Sequence, residues 1–587
     1  MTARGHQQPQ PGQAPHVLRD YALLADGERG ALVGPRGDIV WLCFPYWDSD
    51  AIFSSLIGGD SDYLVCPTGR YVWGGYYEPG SLIWRSRWVT EQGTVECREA
   101  LSFPAESERA LLLRRITAIG GPATLDIELR PRAGFDRHPL TELTGSNGLW
   151  TGRTGGTFLR WQSGPGARSS DGAVQLRLEL DAGQSHDLVL ELSTRERTEP
   201  LPPPAELWRA TESAWQREVP ALSGCLAPRD SRHSYAVLRG LTSASGGMVA
   251  AATTSLPERA DAGRNYDYRY VWIRDQAYAG QAAATAGTPA LLDDAVRFVS
   301  ERLLEHGDRM APAYTTLGKP IPDQHHLDLP GYPGGYDLVG NWVTEQFQLD
   351  AFGEALLLLA AAGRLDRLEA EHWRAAELAA TAIEKRWQQP DAGIWEIDNR
   401  PWTHSRLTAA AGLKAIAAVA PRSPASTGWL ALADRIVAHT SEHALHPSGR
   451  WQRSPHDEKV DGALLFPPLR GALPVDDPRS LATLRAYLAD LTLDGYAYRF
   501  RHDERPLPDA EGSFLLCGFL VALSLQATGE PVEARAWFER TRAACGPPQL
   551  FSEEFDPHQH QLRGNLPQAF VHALMLESAC RLSDGGC

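Results

Sequence analysis

The chain has 587 residues, 43% of them apolar and 22% charged, which is typical of a soluble globular protein with more than one core. Its 73 acidic residues against 57 lysines and arginines give a formal net charge of −16, which would repel nucleic-acid phosphates and anionic lipid surfaces. We therefore expect neither nucleic acid nor a membrane as a partner. We find no secretory leader and no apolar run of about 18 residues, and the eight cysteines lack the spacing of a zinc site, so we expect a cytoplasmic protein without a metal.

The first part of the chain has the pattern of a β-protein. Residues 1–15 are rich in Gln, Pro and Gly and predict a disordered tail, because such a segment has little apolar material to bury. From there to about residue 200, short β-like runs are separated by Gly, Pro and Asp, and residues 174–180 alternate strictly between apolar and polar side chains. Many strands at this spacing predict an antiparallel β-sandwich over residues 16–225.

The second part has the pattern of an all-α domain. A proline-rich stretch at 199–204 and a loop at 224–230 mark the change. Apolar residues then recur at helical spacing through 234–246, 269–305, 341–363, 366–387, 404–420, 426–445, 478–490, 511–528, 531–544 and 567–582. We predict paired helices over residues 226–587, closed into a ring whose inner helices are rich in Ala and Gly.

Two acidic residues lie in aromatic, loop-like surroundings between predicted helices. Glu396 ends the sequence Gly-Ile-Trp-Glu, and Glu553 lies within Phe-Ser-Glu-Glu-Phe-Asp-Pro. Glycoside hydrolysis needs two carboxyl groups, one that donates a proton to the leaving oxygen and one that activates water or attacks carbon. These two residues are therefore the candidate catalytic pair.

A third segment, residues 266–275, interleaves aromatic and charged side chains at the start of a predicted helix. Aromatic rings stack on sugar faces, and fixed Arg and Asp side chains bind hydroxyl groups. This pattern favours a carbohydrate-binding site.

Together these segments resemble glycoside hydrolase family 15, the family of glucoamylases, bacterial glucodextranases and some bacterial trehalases. The resemblance covers nearly the whole chain, through residues 18–21, 37–45, 48–49, 254–258, 264–275, 340–341, 348–354, 403–405, 511–514 and 564–572. It implies an N-terminal antiparallel β-sandwich followed by an all-α (α/α)6 barrel catalytic domain, with the active site in a pocket at one mouth of the barrel.

The resemblance also implies roles for individual residues. Glu396 corresponds to the general acid and Glu553 to the general base of an inverting enzyme, so we expect Glu396 to be protonated, Glu553 to be ionised and their carboxyl groups to lie about 6.5–9.5 Å apart. No cofactor is implied. The candidate substrate-binding residues are Tyr268, Trp272, Arg274, Asp275, Trp395, Arg499 and Glu511.

The main functional prediction is an inverting, exo-acting α-glucoside hydrolase that releases β-glucose from the nonreducing ends of malto- or isomalto-oligosaccharides. A trehalase of the same family is the alternative, because trehalose presents the same nonreducing glucose. More distant alternatives are a disaccharide phosphorylase, which would need a phosphate pocket in place of Glu553, and a non-catalytic glycan-binding paralogue. The sequence leaves the oligomeric state open.

One helix departs from the family pattern. Where many relatives carry a Trp and an Asp-Arg pair, this chain has Ala410 and Lys414-Ala415. These changes put the substrate contacts expected from that helix in question.

Overall fold

The computed structural model describes residues 14–260, 263–502 and 505–583. Antiparallel strands form the N-terminal part and helices form most of the rest, as predicted. Residues 1–13 of the predicted tail lie outside the described residues. Within the described ranges, no helix is long and apolar enough to cross a membrane.

The N-terminal part contains two eight-stranded antiparallel sheets. Its strands are β1 (Ala22–Ala25), β2 (Gly30–Val33), β3 (Asp38–Cys43), β4 (Ala51–Phe53), β5 (Asp62–Pro67), β6 (Tyr71–Tyr77), β7 (Trp84–Thr90), β8 (Thr94–Leu101), β9 (Arg109–Ile119), β10 (Ala123–Arg130), β11 (Leu140–Ser146), β12 (Leu149–Thr154), β13 (Thr157–Gln162), β14 (Arg168–Ser170), β15 (Ala173–Leu180) and β16 (Ser185–Ser193). The first sheet has the order β1-β2-β3-β5-β10-β15-β14, with β4 paired to β3, and the second has the order β11-β12-β13-β16-β9-β8-β7-β6. In β15 the predicted alternation is present, because every second side chain from Val174 to Leu180 is buried.

Strands β1 to β3 are buried on both faces. Leu24 and Leu42 point into the core between the two sheets. Leu23 and Trp41 belong instead to a second core that is continuous with the helical part, and the indole of Trp41 donates a hydrogen bond to the carbonyl of Ala252 at 2.9 Å. These three strands therefore join the two parts of the molecule.

Fourteen helices lie in the described residues. They are α1 (Pro204–Glu218), α2 (Pro228–Leu241), α3 (Ile273–Thr285), α4 (Pro289–His306), α5 (Leu349–Arg364), α6 (Ala370–Arg386), α7 (Thr403–Val419), α8 (Pro424–His443), α9 (Phe466–Leu469), α10 (Pro478–Asp490), α11 (Leu507–Ala510), α12 (Leu515–Ala527), α13 (Pro531–Arg542) and α14 (Ala569–Arg581). Helix α1 begins well before residue 226, where the sequence predicted the helical part to start, and so lies within the range predicted for the β-sandwich. Its buried residues Leu207, Trp208, Ala214 and Trp215 follow helical spacing.

Six helices form a closed inner ring. Each of α3, α5, α7, α9, α12 and α14 packs against the next, and α14 packs against α3. Helices α5 and α7 approach closely because each has a glycine at the contact: a Cβ on Gly353 would lie 2.6 Å from the carbonyl oxygen of Thr408, and one on Gly412 would lie 2.5 Å from that of Gly353. The remaining long helices of this part lie outside the ring.

Several helix boundaries differ from the prediction, most clearly in two segments. The segment 269–305 is divided into α3 and α4, because Gly287 takes a φ of 67° and Pro289 starts a new helix. The segment 341–348 forms a loop with one short 3-10 turn, and helix α5 begins only at Leu349.

Short strands shape the loops between the helices. They are β17 (Val271–Trp272), β18 (Ala313–Tyr314), β19 (His325–His326), β20 (Leu338–Val339), β21 (Thr492–Leu493), β22 (Tyr496–Ala497), β23 (Ser513–Phe514), β24 (Glu554–Asp556) and β25 (Gln561–Arg563). Strands β23, β24 and β25 form one small sheet in front of helices α12 and α14. This sheet fixes the loop that carries Glu553.

A buried ion pair between Arg470 and Glu577 joins helix α14 to the residue that follows α9. Burial alone would raise the pKa of Glu577, but Arg470 and Arg581 outweigh it and lower the pKa from 4.5 to about 2. The stability from this pair is therefore present above pH 4.5 and is lost as the pH falls towards 2. We expect Glu577→Gln to lower the free energy of unfolding at pH 7 by about 3 kcal/mol, measured by urea unfolding, and the difference from wild type to shrink below pH 4.5.

A matched control is the exposed pair between Arg177 and Asp126, whose side chains are 62% and 58% exposed. Asp126→Asn should change the free energy of unfolding by less than about 0.5 kcal/mol, since water screens this pair. An E577Q variant as stable as D126N would contradict the prediction.

Candidate active site

A cavity of about 300 Å³ lies where the loops before the inner helices converge. The side chains that line it lie in the first turns of α3, α12 and α14 or in the loops that precede α3, α5, α7, α12 and α14. They are Ala250, Glu258, Arg264, Tyr266, Tyr268, Trp272, Arg274, Asp275, Tyr278, Asn341, Trp342, Ile394, Trp395, Glu396, Ile397, Arg499, Phe500, His502, Phe514, Leu516, Glu553, Gln568 and Phe570. The ring thus brings together residues more than 300 positions apart in the chain.

Eight of the nine predicted site residues line this cavity, and Glu511 is the exception. Glu511 is buried behind Arg499 and accepts its hydrogen bond at 2.8 Å. It also accepts a hydrogen bond from His502 at 2.8 Å. Burial alone would raise the pKa of Glu511, but Arg499 and the hydrogen bond from His502 lower it to about 2. Glu511 thus supports Arg499 from outside the cavity.

Glu396 lies on a strained turn that a second acidic residue supports. Its φ is 54°, in the left-handed region that non-glycine residues rarely adopt. Asp391 accepts hydrogen bonds from the backbone of Gly393 at 3.0 Å and from the hydroxyl of Ser405 at 2.7 Å. Asp391 also forms an ion pair with Arg406 at 3.2 Å. These contacts hold the turn and so place the Glu396 side chain.

The two oxygens of the Glu396 carboxyl group have different surroundings. Oε1 accepts hydrogen bonds from the indole of Trp272 at 2.8 Å and from Gln348 at 3.1 Å, and it lies 3.5 Å from Nη1 of Arg274. Among the described residues, Oε2 has no hydrogen-bond partner. A proton on this carboxyl group would therefore be carried by Oε2, which is free to meet an incoming oxygen.

Glu553 lies on the loop before β24 and is 5% exposed. The hydroxyl of Tyr268 donates a hydrogen bond to its Oε2 at 3.3 Å. Burial, and then the neighbouring carboxyl group of Glu258, raise the pKa of Glu553 well above its ordinary range. This direction differs from the sequence expectation that Glu553 stays ionised, and the physical reasons are its burial and then the carboxyl group of Glu258 beside it.

Arg274 and Asp275 lie at the bottom of the cavity, at the start of α3. The guanidinium of Arg274 donates to Asp275 at 2.9 Å and to the carbonyl of Ile394 at 2.9 Å. Oδ2 of Asp275 and the hydroxyl of Tyr278 are buried and have no partner within the described ranges. Buried polar atoms normally have a hydrogen-bond partner, so these atoms are suited to bind the hydroxyl groups of a sugar.

The aromatic residues Trp272 and Trp395 line the cavity as predicted. The indole of Trp395 donates to Asp461 at 2.7 Å, and Arg453 lies 2.9 Å from the other oxygen of that carboxylate. The ring of Trp395 is thereby held in one orientation. Aromatic faces fixed in this way can stack on the apolar face of a sugar ring.

Several residues that line the cavity were not predicted from the sequence, among them Glu258, Tyr278, Trp342 and His502. Glu258 lines the cavity but was noted only as part of the segment 254–258. Trp342 stands at the cavity and is 43% exposed, directly after the noted pair Gly340-Asn341. The segments were therefore visible in the sequence, whereas the direction of these side chains depends on how the loops fold.

The departures on α7 lie away from the cavity. Ala410 is fully buried within the helix, and Nζ of Lys414 donates to the carbonyl of Ala472 at 3.1 Å. Neither residue, nor Ala415, is among the side chains that line the cavity. The departures from the family pattern on α7 therefore do not change any side chain that lines the cavity.

Comparison with known families matches two models to this chain. Residues 232–580 match the model for Glycosyl hydrolases family 15, and residues 10–193 match the model described as Trehalase-like, N-terminal. The two matches cover the helical part and the β-sandwich respectively.

Similar proteins span almost the whole chain. A trehalase from Mycobacterium tuberculosis is 29% identical over 626 residues, covering 96% of this chain and 89% of the relative. A trehalase from Mycolicibacterium smegmatis is 28% identical over 606 residues, covering 96% and 90%. The crystal structure of a bacterial glucoamylase complexed with acarbose superposes with a TM-score of 0.72 at 14% identity, over 98% of this chain and 96% of that chain.

The likeness to the bacterial glucoamylase confirms the predicted fold, an N-terminal β-sandwich followed by an (α/α)6 barrel. The model for Glycosyl hydrolases family 15 covers more than half of the chain, and its matched region contains every residue that lines the cavity. The chain therefore belongs to glycoside hydrolase family 15 and is a glycoside hydrolase.

Proposed function

We propose that this enzyme is an inverting trehalase, which hydrolyses the α,α-1,1 bond between the two glucose units of trehalose. The observation that carries the proposal is that relatives aligned over 96% of the chain, through both of its parts, are named trehalases. The main sequence prediction favoured malto- or isomalto-oligosaccharides. The names of the relatives favour the alternative that the sequence left open.

The proposed reaction uses the two carboxyl groups of the cavity. Glu553 takes a proton from a water molecule as the oxygen of that water forms a bond to the anomeric carbon. Glu396 gives its proton, from Oε2, to the glycosidic oxygen as the old bond breaks. Tyr268 orients Glu553, while Trp272 and Gln348 orient Glu396.

Binding of the first glucose unit is assigned to the bottom of the cavity. The unpartnered oxygen of Asp275 and the hydroxyl of Tyr278 would bind sugar hydroxyls, and Arg274 fixes the Asp275 carboxylate. This part of the site is suited to any α-glucoside with a free nonreducing end. Selectivity for trehalose must therefore arise nearer the mouth, where Trp342 and His502 line the cavity.

We expect the purified enzyme to hydrolyse trehalose at least about 100-fold more efficiently, in kcat/KM, than maltose or isomaltose. Such a ratio corresponds to about 2.7 kcal/mol of transition-state discrimination. Inversion predicts that the first products from trehalose are α- and β-glucose in equal amounts, because only the glucose that is attacked inverts. Proton NMR within the first turnovers measures both the rate and the anomers.

The outcomes separate the alternatives. Preference for maltose or isomaltose, with β-glucose released first, would replace the trehalase proposal with the glucohydrolase prediction. Only α-glucose from trehalose would contradict inversion, and with it the role given to Glu553.

We expect Glu396→Gln and Glu553→Gln each to lower kcat by about 1000-fold or more, because each removes a proton transfer in the transition state. Both variants should still bind trehalose, measured by calorimetry, since neither residue is assigned to ground-state binding. The matched control is Glu345→Gln, an exposed residue in the 3-10 turn Trp342–Glu345, which should leave kcat unchanged. Activity within tenfold of wild type in either catalytic variant would reject its assigned role.

A further inference from the structure

A third carboxyl group, that of Glu258, lies on the same side of the cavity as Glu553. Glu258 is 5% exposed and lines the cavity. Gly564 lies against both side chains: a Cβ on this glycine would be 3.5 Å from Cγ of Glu258 and 3.9 Å from Cβ of Glu553. The neighbouring carboxyl group of Glu258 also raises the pKa of Glu553. Two carboxyl groups that lie side by side resist being ionised together, so a single proton held between them is favoured.

The surrounding charges decide which of the two keeps its negative charge. Nη2 of Arg499 lies 3.6 Å from Oε2 of Glu258, so Glu258 has a cationic partner. In the described part of the chain, Glu553 has no Lys or Arg nitrogen within 4.0 Å. The same guanidinium group also pairs with Glu511 at 2.8 Å and Glu554 at 3.2 Å.

Other charged or titratable groups surround the pair, and Arg264 and His502 line the same cavity. Arg274 faces Glu553 from α3. Tyr268 and Tyr266 face Glu258 from the segment before β17. Glu554 lies beside both carboxyl groups on β24, and its own pKa is raised by burial and then by Glu258. With four carboxyl groups around Arg499, these acids cannot all be ionised together at low cost.

We propose that Glu258 is a positioning residue for the general base: its ionised carboxylate accepts a hydrogen bond from protonated Glu553 in the resting site and strengthens Glu553 as a base. This rests on the proposed function, in which Glu553 activates water. In the catalytic cycle Glu553 first releases its proton to solvent. It then takes a proton from the attacking water while the carbon–oxygen bond forms, and the anionic Glu258 stabilises that newly protonated state.

The proposal predicts two opposite effects of Glu258→Gln. Removing the negative charge lowers the proton affinity of Glu553, so the acid limb of the kcat/KM profile moves to lower pH, by about one unit. The plateau value of kcat falls by about threefold to thirtyfold, because Glu553 becomes a weaker base. If Glu258 only packed against the cavity wall, its replacement would not move the acid limb of the kcat/KM profile to lower pH. It would also not combine such a shift with a lower plateau value of kcat.

The first experiment needs no substrate. Infrared spectra are recorded during a pH titration of wild type and E553Q, and their difference isolates the carboxyl signal of Glu553. The same subtraction between E258Q and the E258Q/E553Q double variant gives the Glu553 signal without Glu258. We expect the titration midpoint to fall by about one pH unit, and an unchanged midpoint would overturn the proposal.

The second experiment measures pH profiles of kcat/KM and kcat on trehalose for wild type, E258Q and E258D. Glu258→Asp keeps the charge but shortens the side chain, so its acid limb should lie between those of wild type and E258Q. This variant also tests the proposal if E258Q does not fold. The control Glu345→Gln should leave the profile unchanged, and an acid limb that E258Q and E258D do not move would overturn the proposal.

The two experiments distinguish this proposal from the proposed function. If the wild-type enzyme does not hydrolyse trehalose, the proposed substrate is wrong, while the infrared titration still decides whether Glu258 acts on Glu553. If trehalose is hydrolysed and the midpoint does not move, only the role of Glu258 fails.

Discussion

The ion pair between Asp267 and Arg269 is the interaction on which the arrangement of the site most depends. Both side chains are buried, and they share two hydrogen bonds of 2.9 and 2.7 Å. Arg269 also donates to the carbonyl of Ser49 in the β-sandwich at 2.7 Å, and Asp267 accepts from the backbone of Gly340 at 3.0 Å. A buried charge without its partner is costly, so this pair is a strong constraint on how the sandwich, the 340 loop and the 266–272 segment meet.

The same short segment holds both candidate catalytic carboxyl groups. Tyr268, which precedes Arg269, contacts Glu553, and Trp272 contacts Glu396. The rings of Tyr268 and Trp272 pack edge to face, with centroids 5.6 Å apart. Among the described residues, the β-sandwich supplies no side chain to the cavity lining, yet through Arg269 it fixes the residues that orient the acid and the base.

The cavity concentrates acidic groups, and the ring of helices helps to stabilise them. Because the lining residues precede or begin the inner helices, the N-terminal ends of those helices are directed towards the cavity. Helix N-termini carry partial positive charge and favour nearby carboxylates. Together with Arg274 and Arg499, they offset the cost of burying Glu258 and Glu553 beside the half-buried Glu396.

The sequence predicted the elements whose pattern is local. The alternation in β15 is present, and α10 has the predicted bounds of residues 478–490. Glu396 and Glu553 could be selected because each lies next to aromatic residues in a turn between helices. Segments 266–275 and 254–258, which supply Arg274, Asp275 and Glu258 to the cavity, were also recognisable as motifs.

The rest depends on contacts between distant parts of the chain. Glu258 meets Glu553 only because the ring closes, and no local pattern distinguishes it from a surface carboxylate. Glu511 has the sequence context of a site residue, but Arg499 lies between it and the cavity. Helix α1 packs through Trp208 and Trp215, and the proline-rich stretch before it obscured its start.

The double burial of β1 to β3 has a consequence for how the molecule can evolve or be engineered. Successive side chains such as Leu23 and Leu24 pack into opposite cores. Because β1 to β3 have no solvent-exposed position, a single substitution in these strands alters the packing of one core or the other. The sandwich and the barrel therefore behave as one cooperative body and not as interchangeable modules. A barrel grafted onto a foreign sandwich would need a matching surface for β1 to β3 before its own active site could form.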